Sequence, residues 1–267
     1  MTAVSAVGAL LDRVGGLERF RLATPSPGVL LATMSRPEKL NAMDQQWFAE
    51  LTALMGAVGK DGDEHRAVVL TGEGRAFSAG GDIDMFHALD GDVGLVRPHL
   101  ARVYAAFHAV EACWVPVVAA VNGLAFGGGA ELSLACDMVL AAESATFSFK
   151  EATVGLMPGY GIVRGPDVIG RHWTRYLAAS ARTIDAHRAE RIGWVQEVHP
   201  DDDLLGAALE LARDVAAVPS LASQVGKAFV NRGTETGFAE SVEAVALLFG
   251  TAEHRAAVTD FRARRGR

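Results

Sequence analysis

The sequence predicts an α/β fold, a parallel sheet wrapped by helices and followed by a helical C-terminal region. Three observations carry that expectation. Short runs of buried-strand type alternate with segments of helical spacing, two glycine-rich turns join a strand to a helix, and strands thin out after Phe147. Residues 1–16 are expected to be a loose extension: Met1 to Leu11 is small and apolar, lacks a basic start, and is interrupted by Asp12 and Arg13. Phe20 to Ala23 and Val29 to Met34 flank the turn cluster Thr24-Pro25-Ser26-Pro27-Gly28 and predict a hairpin. Asp44 caps a helix that runs to about Val58. Ala67 to Thr71 reads as a buried strand, Phe77 to Leu89 as a loop entering a helix, and Asp90 to Pro98 as a polar loop. Leu100 to Ala112 then has helical spacing, Val117 to Val121 is a second buried strand, Ala130 to Ala135 a helix, and Met138 to Ala141 a third strand. Later helical segments fall near Asp185 to Ile192, Asp203 to Ala217, Leu221 to Val230 and Gly237 to Arg264. The expected division is an extension over 1–16, a core over 17–200 and a helical region over 201–267.

The chain has 267 residues, half of them hydrophobic, which suffices for a sizeable core without covalent staples. Its two cysteines, Cys113 and Cys136, lie in apolar stretches without C-x-x-C or metal-type spacing, so reduced core thiols are expected and no metal site. A formal net charge of -7 gives no global attraction for nucleic acid or an anionic membrane surface. Val115 to Leu134 is broken by glycines and carries Asn122 and Glu131, which does not suit a membrane span. A soluble, cytoplasmic protein without nucleic-acid or membrane partners is the expectation.

Two segments concentrate glycine after a buried strand: Phe77-Ser78-Ala79-Gly80-Gly81-Asp82-Ile83 and Asn122-Gly123-Leu124-Ala125-Phe126-Gly127-Gly128-Gly129-Ala130-Glu131. Each alone is explained equally well by a tight strand-to-helix turn. A dinucleotide-binding reading fails, because Gly127-x-Gly129 meets Leu132 where glycine or alanine belongs. A phosphate-binding loop fails for want of Gly-Lys-Ser/Thr. The nearest serine-hydrolase elbow, Ala76-Phe77-Ser78-Ala79-Gly80, lacks its first glycine and survives only as a rival class. What the glycines supply is backbone N–H groups at turns that feed helix N-termini, a place for negative charge developing on oxygen. Glu131, three residues past Gly128, projects from nearly the same helical face. It could equally be a carboxylate that only complements the helix dipole. Glu151, in Phe147-Ser148-Phe149-Lys150-Glu151, could equally be a loop charge paired with Lys150.

Those same residues resemble the crotonase family, the enoyl-CoA hydratases and isomerases, from about Leu17 to Pro200. Arg36-Pro37-Glu38-Lys39-Leu40-Asn41-Ala42-Met43 resembles the family's R-P-x-x-x-N-A entry to its first helix. Phe77 to Ile83 resembles F-x-A-G-x-D, Asn122 to Leu132 resembles N-G-x-x-x-G-G-G-x-E-L, and Ala145 to Gly159 resembles A-x-F-x-x-x-E-x-x-x-G-x-x-P-G. The resemblance implies a spiral core of ββα turns with a C-terminal trimerisation region, in a homotrimer or dimer of trimers. It implies an oxyanion hole from the N–H groups of Gly81 and Gly128, and a catalytic carboxylate pair, Glu131 and Glu151. Substrate contacts fall on Lys39, Leu40, Ala79, Asp82 and Ile83, with Gly127, Pro158 and Gly159 inside the matching motifs. Coenzyme A arrives as part of the substrate, and no separate cofactor is implied. Retention of both glutamates favours an enoyl-CoA hydratase; an isomerase of the same fold and a non-catalytic CoA-binding relative are the alternatives.

The chain departs from the family pattern after Pro158-Gly159. Ile162 stands where glycine is frequent and Arg164 where glutamine is common, so Arg164 is expected near the acyl pocket, biasing it toward acidic or polar acyl groups. Asp84 replaces a base present in some hydratases, leaving Lys227 or the tail arginines Arg255, Arg262, Arg264, Arg265 and Arg267 as candidate phosphate partners. Val242, Val245, Leu248 and Phe249 form an apolar stripe that a partner subunit is expected to bury.

Overall fold

A computed structural model describes residues 3–60, 63–231, 242–243 and 245–265 of the chain. β1 (Phe20–Ser26) and β2 (Val29–Met34) form the expected antiparallel hairpin, with the strand running on through Pro25 to Ser26. β3 (Ala67–Gly72), β5 (Val117–Val121), β7 (Met138–Ala142) and β10 (Glu197–His199) add in parallel, in the order β1-β2-β3-β5-β7-β10. β3 and β5 are buried at every residue, as parallel strands covered on both faces must be. A second, four-stranded sheet takes the short strands β4 (Ala76–Ser78), β6 (Leu124–Phe126), β8 (Thr146–Ser148) and β9 (Ile184–Asp185) in that order. Each of β3, β5 and β7 thus hands the chain to a short strand of the second sheet before a helix follows. Three such turns make the ββα spiral.

Around the sheets lie α1 (Ala3–Val14), α2 (Gln45–Ala57), α3 (Ile83–Ala88), α4 (Val93–Glu111) and α5 (Gly128–Ala135). They are followed by α6 (Gly161–Val168), α7 (Gly170–Ser180), α8 (Ala186–Arg191), α9 (Leu204–Ala217), α10 (Ser220–Val230) and a C-terminal helix, Ala252–Arg265. Asp44 caps α2 as expected, its carboxylate accepting from the Trp47 N–H at 2.8 Å. Asn41 and Asn122 hold the turn between β3 and β4. Asn41 donates to the carbonyls of Glu73 and Ala76, and Asn122 to those of Gly72 and Gly74. Cys113 is buried and Cys136 half-buried against the core; neither is in a disulfide, and burial pushes both thiols up.

Three expectations need correction. Residues 1–16 are not loose: most of them form α1, which packs on β1 and α2 and seats Leu10 fully in the core. Residues 90–98 are not all loop, because Asp92 accepts from the Gly94 N–H and starts α4 at Val93, with Pro98 inside the helix. The apolar stripe near residue 245 faces inward: Val245 and Phe249 are buried within this chain and line its cavity. The expected helix from Gly237 is described only from residue 242 onward, and it breaks at Gly250-Thr251 before the C-terminal helix.

Candidate active site

The two glycine turns meet. Gly80 has φ +87°, and a side chain there would run into the Phe126 carbonyl and the Gly128 nitrogen, at 2.7 and 2.9 Å from its Cβ. Only glycine lets these backbones approach so closely. A bridge between Met43 and Gly81 fixes the first turn through Met43 N–H to Gly80 C=O and Asp82 N–H to Met43 C=O. The Gly81 N–H takes no part in it. Gly128 is the first residue of α5, where an N–H has no acceptor within its own helix. The two nitrogens come from the ends of different strands and stand close together: a Cβ on Gly128 would lie 3.7 Å from the Gly81 nitrogen.

Beside them opens a cavity of about 910 Å³. Lys39, Leu40, Ala79, Gly81, Asp82, Ile83, Gly127, Gly128, Glu131, Glu151 and Gly159 all line it; Pro158 does not. Glu131 is 6% exposed, and its Oε1 accepts from the Gly161 N–H at 2.8 Å, with the Tyr160 N–H as a further donor. Burial nevertheless raises its pKa to about 7. Glu151 has Oε1 3.1 Å from where a Gly127 Cβ would stand, while its Oε2 is shut from solvent and meets no hydrogen-bond partner among the described residues. Burial, and then the charge of Glu131, push it well above the ordinary carboxyl range. Two neighbouring carboxyls in unequal settings can hold one proton between them, with the backbone-bonded Glu131 favoured as the ionised member.

This arrangement has a consequence for stability. A carboxyl raised from 4.5 to about 7 keeps its proton in the fold while the unfolded chain has lost it, so stability falls as pH rises through that window. Glu131→Gln removes the penalty. The variant is expected to melt at a higher temperature than wild type at pH 8 and at nearly the same temperature at pH 4, read by scanning calorimetry. A gain independent of pH would contradict the burial argument.

At the mouth, the Lys39 ammonium lies 3.1 Å from both Asp82 and Asp84, which raise its pKa, Asp84 first. Burial pushes Asp82 up, but hydrogen bonds from Lys39, the Asp84 N–H and Arg36 prevail and hold its carboxyl below the usual range. The enoyl-CoA hydratase/isomerase family pattern matches residues 24–265. The chain belongs to this family. A probable enoyl-CoA hydratase of Mycobacterium bovis is 35% identical over 213 residues, 79% of this chain and 81% of the relative. A human mitochondrial Delta(3,5)-Delta(2,4)-dienoyl-CoA isomerase is 34% identical over 241 residues, 86% of this chain and 73% of the relative. Among solved structures, an enoyl-CoA hydratase/isomerase from Mycobacterium paratuberculosis superposes with a TM-score of 0.84 at 29% identity, covering 91% of this chain and 98% of that one.

Within this family fold, several expected roles move. Neither Ile162 nor Arg164 lines the cavity; Arg164 is buried in an ion pair with Glu111 behind Tyr160, its charge already answered. Lys227 is no phosphate partner, for its ammonium is held by Asp137 at 2.7 Å and by the Val110 carbonyl. Of the tail arginines, Arg262 lines the cavity, with its guanidinium 3.6 Å from Asp84. Arg255 turns back to the Gly250 carbonyl. Sequence reasoning missed His99, Tyr104, Phe86, Phe249 and Phe261 in the cavity wall. The helical spacing of α4 marks an apolar face, but nothing in it separates a wall from a core.

Proposed function

We propose that the chain hydrates a 2-enoyl-CoA thioester. The observation that supports this most is the unequal pair of carboxyls, Glu131 buried and Glu151 half-buried with its Oε2 shut from solvent, beside two glycine N–H groups. With the thioester oxygen between Gly81 and Gly128, ionised Glu131 takes a proton from water as its oxygen bonds to the β-carbon. Protonated Glu151 delivers its proton to the α-carbon. The enolate-like charge rests on the oxygen between the two donors meanwhile. One water is consumed, and the proton gained by Glu131 replaces the one lost by Glu151.

Double-bond migration can use the same seat without water, and the 34% identical isomerase relative favours keeping it as the second reading. Following enoyl absorbance decides: loss from a short 2-enoyl-CoA supports hydration, and appearance from a 3-enoyl-CoA supports isomerisation. Turnover of neither refutes both and leaves a CoA-binding relative.

A threefold oligomer is also proposed. Leu221 and Val225, one helical turn apart on α10, are 68% and 46% exposed, and Val230 is 82% exposed. Light scattering is expected to give a trimer or hexamer at micromolar concentration. A monomer there contradicts it.

A further inference from the structure

His99, on α4, is 1% exposed and lines the cavity. Its ring stands edge-on to Phe48 and Phe86, with centroids 5.8 and 6.1 Å away. Phe86 in turn presses against Gly81, leaving no room for a Cβ there. His99 is therefore one phenyl ring away from the proposed thioester seat, in the aromatic end of the cavity. A polar ring in such company calls for an explanation.

Its hydrogen bonds define which nitrogen carries the proton. Arg102 Nη1 donates to Gln45 Oε1 at 3.2 Å, so the Gln45 amide turns its Nε2 toward His99 Nδ1, at 2.9 Å. Nδ1 accepts that bond. The single proton of the neutral ring then sits on Nε2, on the side away from Gln45, where no acceptor meets it among the described residues. Burial, and then the charge of Arg102, push the imidazole down to about 4, so the ring is neutral at pH 7.

We infer that His99 is a specificity-determining residue whose Nε2–H selects acyl-CoA substrates bearing a carbonyl or hydroxyl oxygen a few carbons beyond the thioester over plain hydrocarbon chains of equal length. The inference rests on the acyl-CoA reading of the cavity. A hydrocarbon chain strips water from the donor and gives nothing back, whereas an oxygen acceptor restores the bond, and sites built on a buried donor reject ligands that leave it unpaired. This places the polar selection on His99 rather than on Arg164, whose charge Glu111 already answers.

The test is equilibrium binding by calorimetry of a medium-chain saturated acyl-CoA and its analogue with a keto group next to the terminal methyl. Wild type is expected to prefer the keto analogue by about 5- to 100-fold. His99→Phe keeps a six-membered aromatic ring among phenyl neighbours and is expected to bring that ratio close to one. Equal affinities in wild type, or a preference that survives in His99→Phe, overturns the inference. Should the variant fail to fold, long-range ¹H–¹⁵N correlation of wild type is expected to show the Nε2–H tautomer, shifting with the keto ligand and not with the hydrocarbon. An Nδ1–H tautomer overturns it. Binding requires no turnover, so a chain that binds both thioesters and hydrates nothing refutes hydration alone. Binding neither refutes the acyl-CoA reading, and this inference with it.

Discussion

Glu131→Gln and Glu151→Gln are each expected to lower hydration of a 2-enoyl-CoA by about 10²- to 10⁴-fold in kcat, while affinity for the hydrated CoA product stays nearly unchanged. Glutamine keeps the volume and a hydrogen-bonding oxygen but can neither take nor return a proton. Glu131 loses the ability to draw a proton from water; Glu151 loses the proton destined for the α-carbon. Because both act on one water and one double bond, the double variant is expected to be scarcely slower than either single one. Multiplicative losses would mean independent roles. If Glu131 only complemented the N-terminus of α5 and Glu151 were only a loop charge, neutralisation would change stability by about 0.3 to 1 kcal/mol and leave turnover alone. The Oε2 of Glu151, shut from solvent, argues against that reading, because a loop charge would reach solvent. The pH profile of kcat/KM supplies a second check, with activity rising as the pair loses its first proton near pH 7 and falling when it loses the second. A flat profile between pH 6 and 9 would contradict it.

How much of this was legible in the sequence depended on whether the signal was local. Asp44 capping α2, the hairpin at Pro27-Gly28, and the strands Ala67–Gly72 and Val117–Val121 are written in neighbouring residues, and the structure follows them closely. Gly80 and Gly128 were legible as turns, and their meeting followed only from the family resemblance, since 48 positions separate them (128 minus 80). The short strands β4, β6 and β8 were not legible. At three residues each they carry too little alternation, and their pairing is decided by the longer strands that precede them. Arg164 shows the opposite failure. Its motif position suggested a pocket residue, but Glu111 on α4 reaches it and buries the charge, and no spacing rule links residues 53 positions apart (164 minus 111). His99 went unread because a lone histidine on an apolar helix face looks like core until its neighbours are known.

Gly128→Pro is expected to lower kcat by about 10²- to 10³-fold while the fold survives. Gly128 is the first residue of α5 and does not have a left-handed φ, so proline meets the geometry it prefers at a helix start. The preceding residue is Gly127, with no Cβ to clash with the new ring. Proline deletes one of the two donors and sets its ring where that N–H pointed, so the loss belongs to the oxygen's seat rather than to the helix. Gly128→Ala is the matching control. Its Cβ would lie 3.4 Å from the Met43 sulfur, an ordinary contact, and its N–H remains, so it is expected to retain most of the wild-type turnover. Gly127→Ala is a harsher change, because φ is +53° there and its Cβ would crowd Glu151 at 3.1 Å. Stopped-flow turnover with thermal melting of all three variants separates the causes. Full activity in Gly128→Pro refutes a role for that donor, and equal losses in Gly128→Pro and Gly128→Ala assign the effect to space instead of to the hydrogen bond.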